Sequence, residues 1–600
     1  MKFGILLLLV VASLAVVRSS EDHKALNEKQ HSILIKSLDK DYRPCADFYR
    51  YACYKWSDQH KDNGDNYTTV PEMMNYDINM EVIEYLEKTP ETDMPGFVKL
   101  VKDFYVSCTE SPEFKPLDFM HWMEKEEHIK WALFTPDAAE DFVFDWTKIL
   151  ATFRKYGFNN MFITESRHYQ EGSHFITYLK KPMYSDGFNF VFNYEIDEYN
   201  ETIPLPSGTM GFHDLWKYID PFEDKLRDIK VEEQEKPKMF KYHELPYPWM
   251  QSYLKYLMEP EVIDPNMEVG IDNMAYMKAL DSLLKEYDAK VLVRYMEIRF
   301  LQDADKFNKR ATKNECMTTT KSLLPMAVEW IYEQMHPEIV KEMPKIEQMF
   351  ENILKNVNKS LHMDVSEYIP KEFFGKLETM HMKVGMIPQE NAKDLLESYY
   401  ADVKLDAHEY YRNFVKMLEF YYKLEHTHFD YKNFAEDKGF FFKTPSYNFE
   451  SSIRPIYVPS MNLMILPFGL FRPPVYHEDF EDIFKQSSLA TIMGMGMFDA
   501  FLSTKDFPNE DVKKLAGVIG LHAAFEVFFS SLQSEEISRY LTMFGFTSLH
   551  ELKQMFFLNA IHYKCEWYSG DADIVNFATS NLSDFTEAYD CKLNNFMRMF

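Results

Sequence analysis

The chain has 600 residues, 46% of them hydrophobic and 27% charged, with a formal net charge of -29 and a pI near 5.1. That is material for more than one apolar core. The acidity, with no compensating block of lysine and arginine, excludes a phosphate backbone as a partner, so no nucleic-acid role is expected and the charge reads as a solvated surface.

Taken in order, Lys2 precedes an apolar run from Phe3 to Val17, and Val17-Arg18-Ser19 offers small residues where a signal peptidase reads. Residues 1–19 are expected to be a secretory signal peptide; the run is shorter than the roughly 20 residues that span a bilayer. An uncleaved anchor is the alternative, and no later stretch reads as a span. Residues 20–43 are polar apart from Ile33 to Leu38 and read as a stalk. The region 44–440 is mostly helical in pattern, as in Phe97, Leu100, Val101 and Phe104. Its connections are marked by turn and charge signals at Tyr199–Met210 and Val231–Pro237. Six cysteines, an even set in a secreted chain, are expected to be fully paired. Asn66, Asn200, Asn358 and Asn581 each open a glycosylation triplet.

The texture changes near residue 455, which sets a boundary near 440 and a second region, 441–600. Ile456-Tyr457-Val458 and Leu463 to Leu466 flank a turn and predict a hairpin, which Pro467, Pro473 and Pro474 end. Two apolar helical runs follow, Ser487 to Leu502 and Leu515 to Phe529, joined by a short charged connection. A helix apolar on nearly every face belongs inside a core. Gly494 and Gly496 each cost about 1 kcal/mol there relative to Ala, which points to close helix packing.

Several separate blocks carry a family resemblance. PCADFYRYACYKW from Pro44, DFYVSC from Asp103, NECMTTTKSLLPMAVEWIY from Asn314, the segment Ile465–Pro474 and NLSDFTEAYDC from Asn581 occur in the order found in the neprilysin and endothelin-converting-enzyme family of zinc metallopeptidases. The chain resembles that family over most of its length. The resemblance implies a mainly α fold with a smaller β component, two lobes, and a zincin-like C-terminal lobe. It also implies the pairs Cys45–Cys591, Cys53–Cys565 and Cys108–Cys316.

The chemistry departs from the family. A zincin needs His-Glu-x-x-His on one helix, so that both imidazoles face the metal beside a general base, and a carboxylate ligand from a second helix. Alignment puts Met495 and Asp499 at the two histidine positions and Gly496 at the base; a shift of three residues gives Ile492, Met493 and Gly496 instead. Counting back from GLHAAFEVF, Lys513 stands at the carboxylate ligand and Gly517 at its orienting Asp. Lys513 follows Asp499 by only fourteen positions, where the family inserts a longer segment. Arg454-Pro455 replaces the substrate-binding Asn-Ala pair, and neither His nor Arg occurs between Cys565 and Cys591. The zinc expected for the family therefore has no ligands, no catalytic residue is assigned and no cofactor is expected. An Asp499–Lys513 ion pair is expected to join the two helices in its place.

No other site replaces it. His243-Glu244, His477-Glu478 and His550-Glu551 lack a second His at the required spacing, His426-Thr427-His428 lacks a third ligand, and His522 reads as a core histidine. There is no Gly-x-Ser-x-Gly elbow. The expected function is a secreted, catalytically inactive neprilysin-like protein that binds an extracellular peptide or protein, an active family member among the possible partners. The alternative is a zinc metalloendopeptidase of small extracellular peptides.

Overall fold

The computed structural model describes residues 23–61, 66–110, 116–126, 128–136, 144–170, 174–182, 193–231, 236–260, 262–305, 312–364, 371–387, 390–426, 453–458, 461–502, 509–565 and 571–591. The expected signal peptide and the boundary near residue 440 lie outside them.

The stretch read as a stalk is instead a packed helix, α1 (23–37). Its polar residues made it look exposed, but Asn27 and Gln30 are buried because they are satisfied. Asn27 donates to the Asp479 carbonyl (2.9 Å) and accepts from the Glu481 N–H (2.7 Å), and Gln30 donates to Asn559 Oδ1 (2.8 Å). Leu34 and Leu38 complete the buried face.

The cysteine-rich strip forms α2 (Phe48–Cys53), capped by Asp47, which accepts from the Arg50 N–H. Asn576 Nδ2 also donates to Asp47 (2.9 Å), and the Tyr49 N–H donates to Asn576 Oδ1 (3.0 Å). Phe48 packs on Phe585 at 4.7 Å between ring centroids. These contacts seat the strip on the end of the chain, and the three disulfides form with the pairing the resemblance implies, at Cα separations of 5.4, 5.1 and 5.7 Å. Helix α3 (Val70–Lys88) follows, with Thr69 as cap, Pro71 in its first turn and Met74, Ile78, Val82 and Leu86 on one buried face.

Two large apolar cores and a small cluster at Met386, Val458 and Ile465 result among the described residues. One takes side chains from Leu34 to Tyr105, Cys316 to Tyr421 and Ile453 to Ala588; the other runs from Phe119 to Leu301, with Val415 and Tyr422. The second core contains a sheet that the reading of region 44–440 as mostly helical did not place. Its strands β1 (Thr164–Gln170), β2 (His174–Lys180), β3 (Lys238–Lys241) and β4 (Glu268–Ile271) run in the order β1-β2-β4-β3. The β1–β2 register pairs Thr164 with Lys180 and Gln170 with His174. The expected hairpin forms from β6 (Ile456–Val458) and β7 (Leu463–Leu466), and β5 (His381–Val384) joins β7 in parallel. It steadies the segment that enters the site.

The apolar helices of the second region are α4 (Thr491–Gly496) and α5 (Asn509–Ser531). Beyond them lie α6 (Leu549–His562), α7 (Asp571–Ser580) and α8 (Ser583–Ala588). Among the described residues no single helix is long and apolar enough to cross a membrane; one bent pair, Val512–Ser531 with Ser534–Phe544, passes by length and composition only, and much of it is buried.

Candidate functional site

Helix α4 begins in a π-turn over Gln486–Ala490 that continues Asp482–Lys485. Such turns misalign backbone groups, and Asn559 on α6 serves them: its Nδ2 donates to the Phe484 carbonyl (3.0 Å) and to Ser487 Oγ (2.8 Å). With Gln30 donating to its oxygen, Asn559 ties α1 to the root of α4.

The first apolar run is not one continuous helix. It ends at Gly496 and restarts at Asp499–Leu502, because two glycines in three residues hold the helical conformation weakly. Gly494 serves close packing: a Cβ there would lie 2.8 Å from Gly520 Cα, and one at Gly520 would lie 2.7 Å from the Met495 nitrogen. Helices α4 and α5 therefore touch backbone to backbone. Gly496 meets the other wall, since a Cβ there would lie 3.1 Å from Pro455 Cβ.

Around this contact is a cavity of about 260 Å³. Arg454 and Pro455 line it from the approach to β6, Ile492, Met495 and Gly496 from α4, and Phe498 and Asp499 from the break that follows. Val512, Lys513 and Ala516 come from α5, Tyr563 and Lys564 from the end of α6, and Asp571 and Ile574 from α7. The sequence-derived positions Arg454, Met495, Gly496, Asp499 and Lys513 thus meet in one cavity. Gly517 does not line it; its face packs on α7, where a Cβ would lie 3.1 Å from Ile574 Cγ2. Of the shifted register, Ile492 lines the cavity and Met493 is buried in the core.

Met495 and its neighbours pack around a void. One expectation is corrected. Asp499 and Lys513 form no ion pair with each other among the described residues, for Lys513 is exposed on the rim while Asp499 starts a new helical turn. Burial raises the Asp499 carboxyl above its ordinary range, opposed through space by Arg454 and Lys513. On the opposite wall Lys564 Nζ binds Asp571 Oδ1 at 2.7 Å, and the Tyr563 hydroxyl donates to the Ile453 carbonyl at 2.7 Å. Tyr563, Lys564, Asp571 and Ile574 were not read from the sequence as site residues. Their signal was the cysteine at 565, which fixes this segment against the N-terminal strip.

The isolated His-Glu pairs fall elsewhere. Glu551 caps its helix by accepting from the N–H groups of Thr547 and Ser548 (2.6 and 3.1 Å), and His243 Nδ1 lies 2.7 Å from the Pro265 carbonyl. His477 Nδ1 accepts from the Asp479 N–H at 3.1 Å. His426 is buried with Glu165 and Arg154: its Nε2 lies 3.1 Å from Glu165 Oε1, and Arg154 Nε donates to Oε2 at 3.0 Å. Burial works against ionisation, but the neighbouring His426 and Arg154 outweigh it and hold the Glu165 carboxyl at about 2. Thr427 and His428 lie outside the described residues. Of the glycosylation triplets, Asn200 is exposed, Asn66 and Asn358 are half-buried, and Asn581 is 9% exposed, donating to the Phe577 carbonyl.

Comparison with known proteins agrees with this architecture. Residues 44–188 match the N-terminal model of peptidase family M13. Neprilysin-2 of Caenorhabditis elegans is 21% identical over 537 residues, covering 78% of this chain and 69% of that protein. Among solved structures, the Haemonchus galactose-containing glycoprotein complex superposes with a TM-score of 0.65 at 15% identity, covering 94% of this chain and 96% of its own. The Mycobacterium tuberculosis zinc metalloprotease ZMP1 in complex with inhibitor gives 0.64 at 13% identity, over 94% and 97% of the two chains. PepO of Lactobacillus rhamnosis gives 0.61 at 11% identity, over 93% and 98%. The matched model thus marks residues 44–188 as similar to the N-terminal region of peptidase family M13, and the solved structures show that the chain has a neprilysin-like fold over nearly its whole length.

Proposed function

We propose that the protein is a secreted pseudopeptidase that binds an extracellular peptide or protein in the cavity between α4, α5 and α7 without cutting it. The observation that carries this reading is the cavity itself, retained at about 260 Å³ but rebuilt chemically. The lining does not fit zinc. It contains no histidine, places Arg454, Lys513 and Lys564 around the space, and offers two carboxylates, of which Asp571 is held by Lys564. A catalytic zinc takes three protein ligands from neutral imidazoles and carboxylates, and three cations repel it. No step of hydrolysis is assigned to the lining residues.

The apolar side chains of Ile492, Met495, Phe498 and Val512 give a ligand side chain a surface to bury, and the charged rim gives it polar partners. Three disulfides support an oxidising destination. The test is binding of a pool of extracellular peptides to the purified protein, read by mass spectrometry. Retention of intact peptides, reduced by Met495→Trp, which fills the cavity, is the expected result. Retention that this substitution leaves unchanged overturns the cavity as the site. Co-purification with an active family member that survives Met495→Trp assigns the protein to assembly on another surface.

A further inference from the structure

We infer that the chain carries a divalent-cation site, remote from the cavity, built from His522, Glu526 and Asp584. His522 and Glu526 stand four residues apart on α5, so one face of the helix presents both. Asp584 comes from α8. One ligand atom from each residue lies within 4.8 Å of the others, and His522 Nδ1 is 3.8 Å from Asp584 Oδ2. Bonds of about 2.1 Å to a tetrahedral ion set the donors roughly 3.4 Å apart, so the set need only contract to hold one.

The surroundings favour a cation. The His522 and Asp584 side chains keep 20% and 22% exposure, enough for an ion to enter yet too little for full hydration of the carboxylates. Glu526 and Asp584 repel each other across the gap. Lys553 acts on Asp584 through space, but its Nζ is held 3.1 Å from Glu587 Oε2 and over the Phe525 ring. One imidazole with two carboxylates suits zinc or a neighbouring transition ion more than calcium or magnesium. The other His-Glu-Asp grouping, His477-Glu478-Asp479, is three consecutive residues folded on themselves by the Asp479 N–H bond to His477. It draws on one loop, whereas the proposed site joins two helices.

At 1.5 Å per residue, His522 lies about 14 Å along α5 from Lys513, so an ion held there does not serve the cavity. It clamps α5 to α8, whose end leads to Cys591 and its bond to Cys45. Zinc found in the purified protein would accordingly belong to this clamp, and zinc content alone does not report peptidase activity.

The test is equilibrium dialysis of the full-length protein against Zn²⁺, with Co²⁺ absorption as a second readout. One equivalent is expected to bind. His522→Ala and Asp584→Asn should each weaken it by about tenfold or more, while Glu478→Gln leaves it unchanged. Circular dichroism checks that each variant folds, and the near-isosteric Glu526→Gln replaces any that does not. Absence of uptake, or uptake unchanged by His522→Ala and Glu526→Gln, overturns the proposal.

Discussion

Gly494 and Gly520 meet across α4 and α5 with no room for a methyl group on either side. Gly494→Ala should therefore lower stability by about 1–3 kcal/mol, the cost of overpacking a filled core. Gly375→Ala, in an exposed helical position where an added Cβ meets nothing within 4 Å, should be neutral or stabilising by up to about 1 kcal/mol. Denaturation midpoints of the two variants check the contrast. His562 gives a second test. Both of its ring nitrogens are buried without a hydrogen-bond partner among the described residues, and burial, with His60 nearby, pushes its imidazole from 6.5 down to about 4. Between those values the unfolded chain binds a proton that the folded chain refuses, so stability falls as pH falls through the window, by up to about 3 kcal/mol. His562→Phe should remove that contribution, and the gap between variant and parent in urea midpoint should widen in the variant's favour from pH 7 to pH 4.5. Lysine at 513 and glycine at 496 were legible as departures from a metal motif because that chemistry tolerates few residue types. That Gly496 abuts Pro455, and that a void survives beside it, was not legible, since both depend on a segment some forty residues upstream.

At the scale of elements, the π-turn at the root of α4 depends on one side chain from α6. Asn559→Leu would strip the Phe484 carbonyl and Ser487 of their donor and release Gln30 of α1. Unsatisfied buried groups cost about 1–3 kcal/mol each, so destabilisation of that order is expected, with faster amide exchange across residues 23–37 than elsewhere. Exchange left unchanged in α1 would show that its apolar contacts at Leu34 and Leu38 hold it alone. This helix also shows where sequence reading fails. Polar residues such as Asn27 and Gln30 look solvated until the groups that satisfy them, more than four hundred residues away, are in view. The β6–β7 hairpin was legible because its pattern and turn are local. Its parallel partner β5 and the four-stranded sheet were not, because short strands in a helix-rich stretch carry a weak periodic signal.

For the whole molecule, the resemblance fixed the disulfide pairing where cysteine counting left it open, and the three bonds form as implied. Closing the 546-residue span from Cys45 to Cys591 restricts the unfolded chain by at most about 6 kcal/mol in the entropy model. Replacing both cysteines with serine should lower the thermal midpoint and raise exchange in α2, which that bond and Asn576 hold to the C-terminal helices. The proposed function is that of a scaffold that keeps a cavity and binds a peptide there without hydrolysing it. The most direct measurement is the fate of a defined peptide pool incubated with zinc-supplemented protein, analysed for new termini with and without a chelator. Peptides recovered intact under both conditions are predicted; chelator-sensitive new termini, absent from a mock preparation, would contradict it.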